Sequence, residues 1–183
     1  MMAARRVRNL GEPSIIDFVR SERINDRDKL ILKTLLKNSK TTTTDIAEKL
    51  NISDVATRRR IKKLEEEGVI RFYTAILNPK KLGFNVVALL LIETEPSSVD
   101  EVAKTLAEIP HVVELGTLLG DASVYAVVWA EDLESLENIV KEKIGKVKQI
   151  KKIHTYLMAK HYKVNGLPLR ESELVPDDGG HEA

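Results

Sequence analysis

Residues 42–68 read TTTDIAEKLNISDVATRRRIKKLEEEG, and this stretch decides the fold of the N-terminal half. Thr42 followed three residues later by Asp45 is a capping-box start for a helix carrying Ile46, Ala47 and Leu50. Asn51-Ile52 is a tight turn. Ser53 then caps a further helix that lasts to Glu67 and is stopped by Gly68. At about 100° per residue, Thr57, Ile61 and Leu64 share the side that faces neighbouring helices. Val55, Arg59 and Lys62 fall opposite, with Arg58 and Lys63 at the margins. Between Arg58 and Lys63 only Ile61 is not a cation. The acidic run Glu65–Glu67 is confined to the last turn, away from that surface.

A charge run is most often a solvated helix face. Two features favour DNA instead. The cations are mainly Arg, whose planar fork suits phosphates and guanine edges. The helix is also the second of a tight pair, the geometry that places a recognition helix in a major groove. The candidate contacts to double-stranded DNA are Thr42, Thr43, Thr44, Ser53, Val55, Arg58, Arg59, Lys62 and Lys63. The threonines offer hydroxyls and free backbone N–H groups to a phosphate, although only Thr42 is needed for capping.

Working upstream, residues 26–37 form a helix with Leu30, Ile31, Leu35 and Leu36 as its apolar stripe. Residues 1–22 form a basic arm with one short helix at residues 14–20. Its Arg5, Arg6 and Arg8 suit a DNA backbone or minor groove, and equally a tail without a role. Downstream, Val69-Ile70-Arg71-Phe72-Tyr73 reads as extended, so residues 23–70 make a winged-helix-like helix-turn-helix domain.

Past the turn signals of an extended linker (71–84), the hydrophobic period changes. Val86–Thr94 reads as a strand buried on both faces, judged by its unbroken apolar run. Ser98 caps a helix, Val112–Leu119 and Ser123–Ala130 are strands joined at Gly120-Asp121, and Asp132 caps another helix. Residues 149–158 close the set. The order β-α-β-β-α-β over residues 85–163 is the ferredoxin-like arrangement, with helices on one face of an antiparallel sheet. Residues 164–183 lack periodicity and read as a mobile acidic tail. The fold class is α+β.

The chain has 183 residues, a net charge of +1 and no Cys. That balance hides a division: 17 Lys/Arg against 11 Asp/Glu up to residue 72, then 12 against 17. Zero Cys excludes disulfides, thiolate metal sites, iron–sulfur clusters and Cys nucleophiles. The longest apolar runs, Val86–Ile92 and Val124–Ala130, fall well short of the ~20 residues of a membrane span. These features point to a cytoplasmic protein without a membrane partner. There is no Gly-rich phosphate loop, HExxH or EF-hand spacing, and His111, His154, His161 and His181 are dispersed. No cofactor, metal or catalytic residue is expected.

The sequence resembles the Lrp/AsnC family of transcription regulators over about residues 23–160. The resemblance rests on Ile24–Leu32, on Asp45–Ser53 and most strongly on Arg60–Ile70 (RIKKLEEEGVI), followed by Leu77-Asn78-Pro79 and Leu82-Gly83. It implies a DNA-binding transcriptional regulator, not an enzyme, that forms homodimers through its C-terminal sheets. It further implies assembly of dimers into octamers and modulation by an amino acid or other metabolite. Arg60 sits at the family's recurrent recognition-helix arginine, flanking the core side, where it braces the helix or reaches a phosphate. Thr57 stands where the family has an apolar residue. The effector loop falls on Leu119, Gly120, Asp121, Ala122 and Ser123, where Ser123 occupies a place that often carries Asp. A serine hydroxyl supplies no fixed charge to an α-amino group, a role open to Asp121. Two other readings remain: a DNA-packaging protein of low sequence specificity, and an enzyme resembling sirohaem decarboxylases, which needs His111 and His154 to converge.

Overall fold

Helix α1 (Asp26–Lys37) begins at Asn25, whose side chain accepts from the Asp28 N–H while the Asp28 carboxylate accepts from the Asn25 N–H. The computed structural model describes residues 14–169. Arg5, Arg6 and Arg8, and the acidic stretch beyond residue 169, lie outside the described residues. The chain divides into two units, one containing residues 14–76 and 161–169, the other residues 77–160.

In the first unit, α1 is followed by α2 (Thr43–Leu50) and α3 (Asp54–Glu66). Thr42 caps α2 by accepting from the Asp45 N–H at 3.1 Å, and Ser53 caps α3 by accepting from the Ala56 N–H at 3.2 Å. The reciprocal capping box forms at Asn25–Asp28. Asn51 closes α2 in the left-handed conformation (φ 51°), which asparagine tolerates because its short amide relieves the usual clash. The core joins Ile24, Ile31, Leu32, Ile46 and Leu64 to Ile16 of a short 3₁₀ turn, Ser14–Phe18. Leu30, expected inside, is exposed, and Leu32 is buried in its stead.

The expected tail differs. Residues 163–168 form a β-hairpin in which Val164 pairs with Leu167, and Leu167 is 3% exposed. Its two-residue turn, Asn165-Gly166, has φ of 48° and 79°, the left-handed values such hairpins demand. Gly166 lies against Ile15: a Cβ there would stand 3.0 Å from the Ile15 Cγ2. The hairpin thus packs on the segment that leads into α1. Val69–Tyr73 forms no strand, although Tyr73 Oη donates to Glu65 at 2.7 Å and fastens this segment to α3.

The second unit is a four-stranded antiparallel sheet in the order β2-β3-β1-β4. Its elements are β1 (Val86–Thr94), α4 (Val99–Ala107), β2 (Val112–Thr117), β3 (Val124–Ala130), α5 (Leu133–Asn138) and β4 (Ile150–Leu157). This is the ferredoxin-like order, with β1 and β3 central. Ala88, Leu90 and Ile92 of β1 and Val124, Ala126, Val128 and Ala130 of β3 point to one face. There they meet Val102 and Leu106 of α4, Leu136 of α5, and Ile139 and Ile144 of the π-helical turn that continues α5. Because helices cover a single face, β1 is not buried on both. Its residues alternate, leaving Val87, Leu89 and Leu91 half-buried beside Tyr125 and Trp129. Ser98 makes no side-chain cap; a 3₁₀ turn, Pro96–Ser98, feeds α4 directly.

Candidate nucleic-acid interface

On α3, the interior side carries Thr57, Ile61 and Leu64. Thr57 is fully buried, yet its hydroxyl donates to the Ser53 carbonyl at 3.2 Å, so a polar residue stands in an apolar position without an orphaned group. The outward side carries Val55, which is 76% exposed, with Arg59 and Lys62 also exposed. An apolar residue left this open at the start of a helix gains nothing from folding.

The cations of α3 differ in how they are held. Arg60 turns inward, donating to Asp28 Oδ1 at 2.9 Å, and Asp28 is only 6% exposed. The same guanidinium approaches Asn25 Oδ1 at 3.5 Å. Arg60 is therefore a brace between α3 and the start of α1. Lys62 and Lys63 form open i,i+4 pairs with Glu66 and Glu67 at 3.5 and 3.7 Å. Such pairs are worth little in water and are readily exchanged for phosphates. Arg59 has no ion-pair or hydrogen-bond partner among the described residues.

Arg58 is held more firmly. Its Nε donates to Asp54 Oδ2 at 2.7 Å, while Asp54 Oδ1 faces the Thr44 hydroxyl at 3.5 Å. The Thr43 hydroxyl, the Arg58 guanidinium and the Thr44 hydroxyl together hold the Asp54 carboxyl below the usual carboxylate range. The Thr44 hydroxyl is thus turned towards Asp54. Sequence reading passed over Asp54, although Asp54 and Arg58 stand four residues apart, the spacing of facing side chains on a helix. Nothing local marks Asp28 and Arg60, which lie 32 residues apart in the chain.

The other candidate site lies at the β2–β3 turn. The Leu118 N–H donates to the Ser123 carbonyl at 2.8 Å, and the Ser123 N–H to the Ile92 carbonyl at 2.9 Å. The turn is anchored to the sheet by these bonds, while Leu119, Gly120 and Asp121 project into solvent and Ala122 and Ser123 are half-buried. His111 and His154 do not converge. His111, at the entry to β2, lies 3.4 Å from Lys143 Nζ, whereas His154 on β4 contacts Glu93 at 3.1 Å. β2 and β4 are the two outer strands, with β3 and β1 between them. Among the described residues no cluster could hold a metal ion, and no helix is long and apolar enough to cross a membrane.

Residues 24–71 match the family model of a winged helix-turn-helix DNA-binding domain, and residues 87–168 match that of the Lrp/AsnC ligand binding domain. The HTH-type transcriptional regulator LrpA of Pyrococcus horikoshii is 45% identical over 130 residues, 71% of this chain and 92% of that protein. The regulator Ptr1 of Methanocaldococcus jannaschii is 38% identical over 117 residues, 64% of this chain and 79% of that one. Among solved structures, AsnC of E. coli aligns with a TM-score of 0.71 at 21% identity, over 77% of this chain and 95% of that one. A Neisseria meningitidis transcriptional regulator in complex with L-Met aligns at 0.73 and 21% identity, over 79% and 96%. At such identities these last two likenesses show the fold alone. With a winged helix-turn-helix followed by a ligand-binding domain, and with relatives that are HTH-type transcriptional regulators, the chain belongs to the Lrp/AsnC family of DNA-binding transcriptional regulators.

Proposed function

We propose that each subunit lays α3 in a major groove with Val55, Arg58, Arg59 and Lys62 towards the bases. Thr42, Ser53 and Lys63 then lie along the phosphates. Two subunits, joined through the uncovered faces of their sheets, read half-sites ~34 Å or a multiple of it apart. The observation that carries this reading is the outer face of α3. An exposed valine and an arginine without a partner among the described residues stand there on a helix that Arg60 braces from behind. Changing Arg59 to Ala should cost about 1–3 kcal/mol on the preferred site and relax selectivity at one base pair. Lys62→Ala should weaken all DNA alike and lower the salt slope by about 1. Unchanged binding of the best site by the Arg59 variant, measured by titration at fixed salt, contradicts the assignment of this face.

The sheet face supports the dimer. Val87, Leu89, Leu91, Val127 and Trp129 form an apolar field that no helix among the described residues covers, and Phe84 packs beside Trp129 with ring centroids 5.8 Å apart. Assembly of such dimers into octamers, and modulation by an amino acid or other metabolite, complete the reading. A Neisseria meningitidis regulator of this fold is described in complex with L-Met. In this chain the polar groups proposed to meet such a ligand are the Asp121 carboxylate and the Ser123 hydroxyl, on a turn fixed to the sheet.

A further inference from the structure

Arg58 has a fixed approach to whatever it meets, because one of its donors is already committed. An arginine carries an Nε–H and four Nη–H groups in one plane. With Nε–H given to Asp54 at 2.7 Å, the end-on pair of Nη groups is what remains. That pair matches the N7 and O6 acceptors on the major-groove edge of guanine. The other oxygen of Asp54 faces the Thr44 hydroxyl at 3.5 Å, and Thr44 belongs to the preceding helix. The line Thr44–Asp54–Arg58 therefore runs from the start of α2, through the first residue of α3, to a guanidinium one turn further on. Arg59, next in sequence, has no such support.

The carboxylate has a second consequence. It stands in the first turn of the recognition helix, the part that comes nearest the bases. A negative charge there is repelled by every phosphate, whatever the sequence. It also faces an acceptor-rich groove in which only the amino groups of cytosine and adenine offer it a partner. Its cost falls on all duplexes, whereas the ordering of Arg58 helps only those with guanine in place.

We propose that Asp54 is a specificity-determining positioning residue: it holds the Arg58 fork towards a guanine and disfavours binding through phosphates alone. The inference rests on the placement of α3 in a major groove.

The test compares selected duplex sites with random duplex at one salt concentration, for the whole chain and for Asp54→Ala, Asp54→Asn, Arg58→Ala and the double variant Asp54→Ala/Arg58→Ala. Wild-type protein should prefer G over the other bases at one position per half-site, by about 5- to 150-fold. Asp54→Ala should lose most of that preference, while its affinity for random duplex rises roughly twofold. Asp54→Asn keeps an oxygen that accepts from Arg58 Nε. It should retain much of the preference yet show the same gain on random duplex, which separates orientation from charge. The double variant should discriminate no worse than Arg58→Ala alone, as coupled partners do. Full G preference in Asp54→Ala, or additive losses in the double variant, overturns the role of Asp54 while leaving the groove assignment intact. Should Arg59→Ala and Lys62→Ala both bind as wild type, the groove assignment fails first, and this inference with it.

Discussion

Adjacent arginines on α3 do different work. Arg59 points outward without a partner among the described residues, and Arg60 points inward to a carboxylate that is 6% exposed. Removing one member of a half-buried pair leaves the other partly desolvated without its partner, and this costs more than the pair itself contributes. Asp28→Ala also opens the capping box of α1, so it should lower stability by about 1.5–3 kcal/mol in chemical denaturation. A loss below about 0.5 kcal/mol, the range of an ordinary surface substitution, contradicts the brace. The wheel drawn from sequence found the inward side of Arg60, since that needs only the helical period. It could not find Asp28, which is local to a different helix. Several exposed carboxyls are held below their usual range: Asp54 as described, Asp132 by the Ser135 N–H, Glu137 by Lys141 and Glu142 by Lys146. Their stabilisation is present above the ordinary carboxylate pKa of about 4 and is lost as pH falls through the lowered values. The melting temperature should therefore stay level from about pH 7 to 5 and fall below about 4. A decline beginning near pH 6 contradicts this attribution.

Among the elements, the helices were legible because caps and periods are local. Asn25, Thr42, Ser53 and Asp132 each accept the backbone N–H that their position requires. Ser98 failed as a cap because Pro96 two residues earlier begins a 3₁₀ turn that runs straight into α4. The unbroken apolar run of β1 suggested burial on both faces, but such a run cannot say what covers the second face. The hairpin at residues 163–168 was missed although Asn165-Gly166 is a strong two-residue hairpin signal. Flanking runs of only two residues gave no alternation to support it, and Ile15, which lies against Gly166 of the turn, is about 150 residues away in the chain. Leu167→Ala should cost about 2–3 kcal/mol, read by denaturant titration, if that side chain packs as a core residue does. A value near zero would assign the hairpin to the surface.

For the whole molecule, a net charge of +1 conceals a basic half and an acidic half, and the comparisons assign them a DNA-binding domain and a ligand-binding domain. The order of elements in each was readable from period and turns. The wiring around α3 was not, because it joins residues from three helices. If the ligand-binding domain takes an amino acid at the β2–β3 turn, at least one of the twenty should raise the melting temperature, and Asp121→Ala should abolish the shift. A panel without any shift contradicts that part of the reading. The central claim is that the outer face of α3 reads DNA sequence. It is tested most directly by selecting duplexes from a random pool at about 0.15 M salt, with wild-type protein and with Arg59→Ala. The account predicts a two-fold symmetric consensus with half-sites one or more helical turns apart, in which Arg59→Ala relaxes a single base pair per half-site. Enrichment of no sequence by the wild type, or an identical consensus from both proteins, would contradict it.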